Sequence, residues 1–154
     1  MITYSDYYQS PFGMLKITTS DTAVFEIDFT EGKGSSKEDS PVIMKETIRQ
    51  LDEYFDGKRK SFSLKVEMKG TDFQKRVWNA MSKIPYGKTA SYKDLAVIAG
   101  KPKAARAVGG ACHRNPIGIV LPCHRVIGSN GSLTGFGGGL DLKEKLLRHE
   151  KNHS

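Results

Sequence analysis

The chain has 154 residues, is 38% hydrophobic and 27% charged, and carries a formal net charge of +7. No apolar run approaches the roughly 20 residues that cross a bilayer, and the first residues lack the basic-then-apolar order of a secretory signal. We therefore expect a cytoplasmic protein that does not enter a membrane. Its two cysteines, Cys112 and Cys123, are too few for a disulfide scaffold and are expected to be reduced.

The first half of the chain is predicted to form a small α+β unit. Apolar residues alternate with polar ones on both sides of a turn at Ser20 and Asp21, which predicts a β-hairpin. A helix is predicted to begin after Pro41 and to end at Gly57. Residues 61–68 (SFSLKVEM) predict one more strand. No catalytic cluster is visible in this half.

The basic charge lies in the second half. Residues 1–70 carry 10 Lys/Arg against 12 Asp/Glu, whereas residues 71–154 carry 14 against 5. No acidic residue occurs between Asp94 and Asp141. A surface built from this segment would attract a polyanion such as nucleic acid, although charge alone leaves a solvated basic face equally open.

Helical periodicity begins at residue 71. Phe73, Val77 and Met81 mark one face of a first helix. Ser91 and Asp94 form a capping box for a short second helix, which Gly100 ends. Its buried side is predicted to consist of Tyr92, Leu95 and Ile98.

A further helix is predicted to begin at Pro102 (PKAARAVGGACHR) and to form a helix-turn-helix with the preceding one. Arg106 is a long side chain among very small neighbours. Because a glycine inside a helix costs about 1 kcal/mol relative to alanine, we expect something to approach this helix closely. A nucleic-acid groove would fit, and so would close packing against another helix. The small neighbours are Ala104, Ala105, Ala107, Gly109, Gly110 and Ala111.

The stretch GIVLPCHRVIG places a thiol beside an imidazole. Residues 117–122 predict a buried strand, and Pro122 should end its pairing, so Cys123 is expected at a strand exit that faces a pocket. A thiol with an ordinary pKa of about 8.5 needs a base to become a good nucleophile. His124 is a candidate base, and Glu150 in a C-terminal helix is a candidate to orient it. Taken alone, a Cys-His pair is more often an ordinary buried pair.

These residues lie in motifs that together resemble one family. The stretches TDFQKRVW, IPYGKTASY, KAARAVGG, PCHRV and LDLKEKLLRHE resemble the O6-alkylguanine-DNA alkyltransferases, and the likeness covers nearly all of residues 71–150. It implies an α+β fold: a small ribonuclease-H-like lobe over residues 1–70, and a mostly helical, winged-helix-like domain with a helix-turn-helix over residues 71–154. The second domain would bind DNA and accept the alkyl group.

The resemblance implies direct repair of double-stranded DNA. Cys123 would take the alkyl group from O6-alkylguanine, after the base swings out of the duplex, in one irreversible turnover. Whether O4-alkylthymine is also accepted stays open. His124 would take the thiol proton through a water, and Glu150 would hold His124 in the useful tautomer. No cofactor is implied, a monomer is expected, and the absence of Cys and His from residues 1–70 excludes the zinc site of some relatives.

The resemblance also implies contacts with the flipped guanine. Tyr92 would donate a proton to guanine N3, and the Val126 carbonyl would bind the exocyclic amine. Asn115 would tie the recognition helix to the active-site segment. Phe136 and Gly137, where many relatives have Tyr-Ser, would roof the pocket and affect substrate range but not the reaction.

The predicted DNA contacts lie on the helix that carries Arg106, whose side chain would fill the space of the flipped base. Cys112, on the same helix, is interpreted as a packing residue. A helix-turn-helix transcription factor, a non-catalytic lesion binder and a thiol hydrolase are the alternatives; Cys123 argues against the first two. The full set of predicted DNA-binding residues is Ala105, Arg106, Ala107, Gly109, Gly110 and Arg114.

Overall fold

Three strands and one helix precede a mainly helical part. The structure, a computed structural model, describes residues 2–32, 34, 39–131 and 139–154. This order confirms the predicted α+β class. The elements are β1 (Tyr4–Ser10), β2 (Gly13–Thr19), β3 (Val24–Thr30), α1 (Val42–Phe55), α2 (Asp72–Met81), β4 (Ala90–Ser91), α3 (Tyr92–Ile98), α4 (Ala105–His113), a 3-10 turn (Cys123–Arg125), β5 (Val126–Ile127) and α5 (Leu140–Asn152).

The chain divides into two compact units. The first comprises residues 1–69 and 116–118, and the second comprises residues 70–115 and 119–154. Over the described residues, no helix combines the length and the apolar character that crossing a lipid bilayer would require.

An antiparallel sheet of order β1-β2-β3 forms the base of the first unit. The predicted hairpin is confirmed as β2 and β3, whereas β1 was missed. Asp6 of β1 is fully buried, and its carboxylate accepts hydrogen bonds from the Ser40 hydroxyl at 2.9 Å and the Tyr7 N–H at 2.8 Å. A satisfied polar residue on the core face hides the alternation by which a strand is recognised.

Helix α1 matches its prediction. It begins one residue after Pro41, and Gly57 follows its last turn with φ +77°, a left-handed conformation that glycine adopts without steric cost. The buried residues Met44, Leu51 and Tyr54 recur at helical spacing. The helix therefore places one apolar stripe in the core of the first unit.

The predicted strand over residues 61–68 is wrong. Only Val66 forms a bridge, parallel to Val24, with hydrogen bonds from the Val24 N–H to the Lys65 carbonyl and from the Glu67 N–H to the Val24 carbonyl. Further along the same edge, Ile27 bonds instead to residues 116–118, at 2.8 and 3.0 Å. Because two segments share this edge, neither forms a regular strand.

Helices α2, α3 and α4 position the predicted DNA-binding face in the second unit. The predicted capping box of α3 is confirmed by two 3.0 Å bonds between Ser91 and Asp94, and Gly100 has φ +80°. Ile98, predicted as buried, is 47% exposed. Helix α4 begins at Ala105 and not at Pro102, because residues 101–104 form a turn closed by the Ala104 N–H.

Candidate active site

Cys123 opens a 3-10 turn and does not lie at the end of a strand, so the predicted strand over residues 117–122 is wrong. After one bridge at Ile117, the chain turns, and Ile119 has φ +70°, in the left-handed region that extended strands do not use. The Asn115 side-chain amide donates to the Leu121 carbonyl at 2.7 Å, which joins the end of α4 to the segment before Cys123. The 3-10 turn bends the backbone at Cys123 and His124, so the rule that neighbouring side chains of a strand point to opposite faces does not apply to them.

His124 is fully buried and hydrogen-bonded at one ring nitrogen. Its Nε2 lies 2.6 Å from Oε2 of Glu150, which is also fully buried. Nδ1 is buried without a hydrogen-bond partner among the described residues. With the Nε2 proton directed at the carboxylate, the neutral imidazole has its lone pair on Nδ1. This nitrogen can accept a proton.

Arg125 holds the carboxylate of Glu150, to which His124 is hydrogen-bonded. Its Nε donates to Oε1 of Glu150 at 2.7 Å, its Nη2 donates to Oε2 at 2.9 Å, and its Nη1 donates to the Ile84 carbonyl at 2.8 Å. The Gly87 N–H also donates to Oε1, at 3.2 Å. Burial raises the pKa of Glu150, but hydrogen bonds from His124 and Arg125 outweigh it and hold that pKa well below its usual range. Sequence reasoning assigned Arg125 no role in the site.

The imidazole is kept neutral by its surroundings. Burial lowers the pKa of His124, and the nearby charges of Arg125 and Lys143 lower it further. The hydrogen bond and the charge of Glu150 act in the opposite direction but do not reverse the shift. His124 is therefore an unprotonated base at neutral pH.

The neutral, buried His124 predicts a pH-dependent stability. Its pKa in the folded protein lies below the ordinary 6.5, so the unfolded chain binds a proton that the folded chain does not. The free energy of unfolding should therefore fall as pH drops below about 6.5, by at most about 1.4 kcal/mol per pH unit. Urea unfolding between pH 7.5 and pH 5 would measure this slope. The exposed His113→Asn should keep it, and a His124→Asn protein with the same slope would contradict the assignment.

The two cysteines differ in reactivity. Neither forms a disulfide; Cys112 is 5% exposed, whereas Cys123 is half-buried. Burial, with the charge of Cys123 as a smaller contribution, raises the pKa of the Cys112 thiol to about 12. Cys112 therefore stays protonated at neutral pH and is inert, as expected of a packing residue.

Lys143 is a site residue that sequence reasoning missed. It is fully buried, and its ammonium donates a hydrogen bond to the Val126 carbonyl, which the resemblance assigns to guanine. A carbonyl oxygen has two lone pairs, so this contact leaves room for a second donor. The sequence could have indicated that Lys143 belongs to the site, because it lies seven residues before Glu150 and thus on the same face of α5.

The predicted DNA-binding residues lie along one helix. In α4 and its C-cap, Arg106, Ala107, Gly110 and Arg114 are exposed, whereas Ala105 and Gly109 are half-buried. The opposite side is buried and includes Cys112. One face of this helix is therefore available to a partner.

The two glycines of α4 are not explained by close helix packing. A Cβ at Gly110 would meet no described atom within 4 Å, and a Cβ at Gly109 would meet only the Tyr92 ring, at an ordinary 3.8 Å. Tyr92, the first residue of α3, therefore lies beside α4. Since none of the described residues requires glycine at position 110, close packing against them does not explain it, and the approach of an external partner remains.

Gly110→Ala tests the predicted contact of α4 with DNA. The variant should gain up to about 1 kcal/mol in the free energy of unfolding, because alanine favours the helix. If α4 contacts a DNA groove as the resemblance implies, repair of a damaged duplex should slow, because the added methyl would hold the backbone away from that groove. Methyl transfer from the free base O6-methylguanine should not change and serves as the control. Unchanged repair of the duplex would contradict the predicted contact.

Phe136 and Gly137 lie outside the described residues. Among the residues that the structure does describe, no group of three or more His, Cys, Asp or Glu side chains is arranged to hold a metal ion. The described side chains around Cys123 supply a thiol, an imidazole, a carboxylate, a guanidinium and an ammonium.

Known families and proteins match nearly the whole chain. The family model described as "6-O-methylguanine DNA methyltransferase, ribonuclease-like domain" matches residues 3–68, and the model described as "6-O-methylguanine DNA methyltransferase, DNA binding domain" matches residues 72–152. The methylated-DNA–protein-cysteine methyltransferase of Methanosarcina barkeri is 48% identical over 155 residues, covering 97% of this chain and 98% of that protein. The protein of the same name from Mycolicibacterium paratuberculosis is 45% identical over 149 residues, covering 94% and 90%.

Solved structures of this family are similar to this chain in both fold and sequence. The crystal structure of the Mycobacterium tuberculosis O6-methylguanine methyltransferase has a TM-score of 0.89 to this chain at 38% identity, covering 99% of this chain and 95% of that one. The structure of the Mycobacterium tuberculosis OGT in complex with DNA has a TM-score of 0.88 at 40% identity, covering 97% and 94%.

Proposed function

This chain belongs to the 6-O-methylguanine DNA methyltransferase family, and we propose that it repairs O6-alkylguanine in double-stranded DNA by transferring the alkyl group to Cys123. The observation that carries this proposal is the position of His124. Its Nε2 is hydrogen-bonded to Glu150 and its buried Nδ1 is available to accept a proton, directly after a half-buried thiol.

The reaction is one displacement. The Cys123 proton passes to Nδ1 of His124 through an intervening water, and the sulfur electron pair forms a bond to the alkyl carbon. The bond between that carbon and guanine O6 breaks, its electrons stay with guanine, and guanine takes up one proton. Because the lesion itself brings the alkyl group, no cofactor is needed.

Each neighbour of Cys123 has a proposed task. Glu150, held by Arg125, keeps the His124 proton on Nε2 and so leaves Nδ1 as the base. Tyr92 beside α4 donates its phenolic proton to guanine N3, and the Val126 carbonyl accepts a hydrogen bond from the exocyclic amine. The position of Asn115, bonded to the Leu121 carbonyl, supports its role of joining the recognition helix to the segment before Cys123.

DNA binding is proposed for the exposed face of α4. Arg106 fills the space of the extruded base, which costs a few kcal/mol to unstack, and the small residues around it let the backbone approach the groove. Residues 71–154, which follow the lobe of residues 1–70 in the sequence, would thus bind DNA and accept the alkyl group. The DNA complex of the Mycobacterium tuberculosis protein supports this partner. The two reduced cysteines support a cytoplasmic location.

The product is a thioether, which none of the described side chains is placed to cleave. One protein molecule should therefore repair one lesion. We expect that mixing the protein with a slight excess of an oligonucleotide carrying O6-methylguanine will add one methyl group per chain and then stop. Peptide mapping by mass spectrometry should place that methyl on Cys123. Methyl on Cys112, or turnover beyond one equivalent, would contradict the proposal.

A further inference from the structure

Lys143 is a buried charged residue that has no role in the steps of the proposed alkyl transfer. Its side chain is fully enclosed, although lysine is almost never fully buried unless it is paired. Burying an ammonium costs free energy, so its presence beside the acceptor turn, which is the 3-10 turn Cys123–Arg125, needs a compensating partner.

Its position relates it to the acceptor turn. The ammonium donates a hydrogen bond to the carbonyl of Val126, the residue that directly follows the turn of Cys123–Arg125. Helix α5, which also carries Glu150, therefore contacts this turn at its middle residue, His124, and directly after its last residue, at Val126. Lys143 thus belongs to the framework around Cys123.

We propose that Lys143 is a positioning residue whose ammonium stabilises the thiolate of Cys123 while its hydrogen bond to Val126 holds the acceptor turn in place. This inference rests on the proposed function, in which Cys123 is the acceptor. The displacement is unchanged: the thiol proton passes to His124, the alkyl carbon passes to sulfur, guanine takes up a proton, and Lys143 keeps all its protons.

The surrounding charges support this assignment. Burial lowers the pKa of Lys143, and negative charge on Cys123 or Cys112 raises it, so the ammonium interacts electrostatically with both thiols. The same ammonium lowers the pKa of His124. Of the other charged groups on these elements, Arg125 is engaged with Glu150.

A positive charge on Lys143 complements the pair formed by Cys123 and His124. A protonated imidazole would stabilise a thiolate, but the buried His124 is kept neutral by its surroundings. The lysine supplies the positive charge that the neutral histidine lacks. His124 then acts only as the base that accepts the proton of the Cys123 thiol.

The test measures the reactivity of Cys123 against pH with a small neutral reagent. In the full chain with Cys112→Ala as background, the rate of alkylation by iodoacetamide would be followed from pH 5 to pH 10. We expect Lys143→Met to move the midpoint of this curve upward by at least about one pH unit, which lowers the rate about tenfold at pH values below both midpoints and restores it at high pH. Lys143→Arg, which keeps the charge, should keep a midpoint close to that of the parent protein.

Lys145→Met is the matched control, because it makes the same substitution at an exposed position of the same helix. Its curve should coincide with that of the parent protein. A Lys143→Met curve that is lower at every pH with an unchanged midpoint would mean a purely structural role and would overturn the proposal. Peptide mapping of methyl from damaged DNA tests the acceptor assignment separately, so the two failures are distinguishable.

A second measurement applies even if Lys143→Met does not fold. The ammonium of Lys143 can be titrated by NMR in protein with carbon-13 at lysine Cε, in the parent protein and in Cys123→Ser. Because the coupling of two sites is reciprocal, removing the thiolate should lower the titration midpoint of Lys143 by the same amount by which the ammonium lowers that of the thiol. An identical lysine midpoint in both proteins would overturn the proposal.

Discussion

Replacing Cys123 by alanine should abolish methyl transfer from damaged DNA while the protein still binds that DNA. The methyl group then has no acceptor, since burial raises the pKa of the remaining thiol, Cys112, to about 12 and keeps it protonated. The exposed face of α4 around Arg106 is not altered by the change. Intact mass would measure methyl transfer, and a mobility-shift assay on a duplex with O6-methylguanine would measure binding.

Cys112→Ala is the matched control for this prediction, because it removes the other thiol of the chain by the same substitution. It should still accept one methyl group per chain, although the small cavity that it leaves in the core should lower the free energy of unfolding slightly. Methyl transfer that survives in Cys123→Ala and disappears in Cys112→Ala would exchange the roles of the two thiols.

Glu150→Gln should lower both the stability of the protein and the rate of methyl transfer. The neutral amide leaves the guanidinium of Arg125 buried without an opposite charge, which should cost about 3–5 kcal/mol in the free energy of unfolding. The amide also cannot orient His124 as a carboxylate does, so the rate of methyl transfer should fall about 100-fold or more. Urea unfolding and single-turnover kinetics would measure the two effects.

Glu144→Gln provides a control on the same helix. Glu144 accepts a hydrogen bond from Arg148 at 2.6 Å, but both side chains are exposed, so their pairing contributes about 0–1 kcal/mol. The same substitution at the surface should therefore leave both measurements nearly unchanged. Equal effects of the two substitutions would show that Glu150 is not the buried anchor of the site.

Local features of the fold could be predicted from the sequence because their physical causes lie within a few residues. The capping box of Ser91 and Asp94 and the left-handed glycines at 57 and 100 depend only on neighbouring backbone groups. The hairpin of β2 and β3 likewise joins segments that are adjacent in the chain.

Features that depend on distant partners were predicted wrongly. Residues 61–68 and 117–122 both have the composition of strands, but each receives only one bridge, at Val24 and at Ile27 of the same strand edge. Conversely, β1 was missed because Asp6 occupies a core position and is satisfied by Ser40, 34 residues away. Composition does not state which strand edge is available, and it does not reveal which buried polar group has a partner.

The sequence by itself determined the family, through its motifs, and it determined the residue types that the chemistry requires: a thiol, an imidazole and a carboxylate at Cys123, His124 and Glu150. Only the tertiary structure decided that Arg125 grips Glu150 across 25 residues and that Lys143 reaches Val126 across 17. It also decided which of the two thiols is buried and inert. The physical reason is that burial and ion pairing act between atoms brought together in space, so no local pattern along the chain records them.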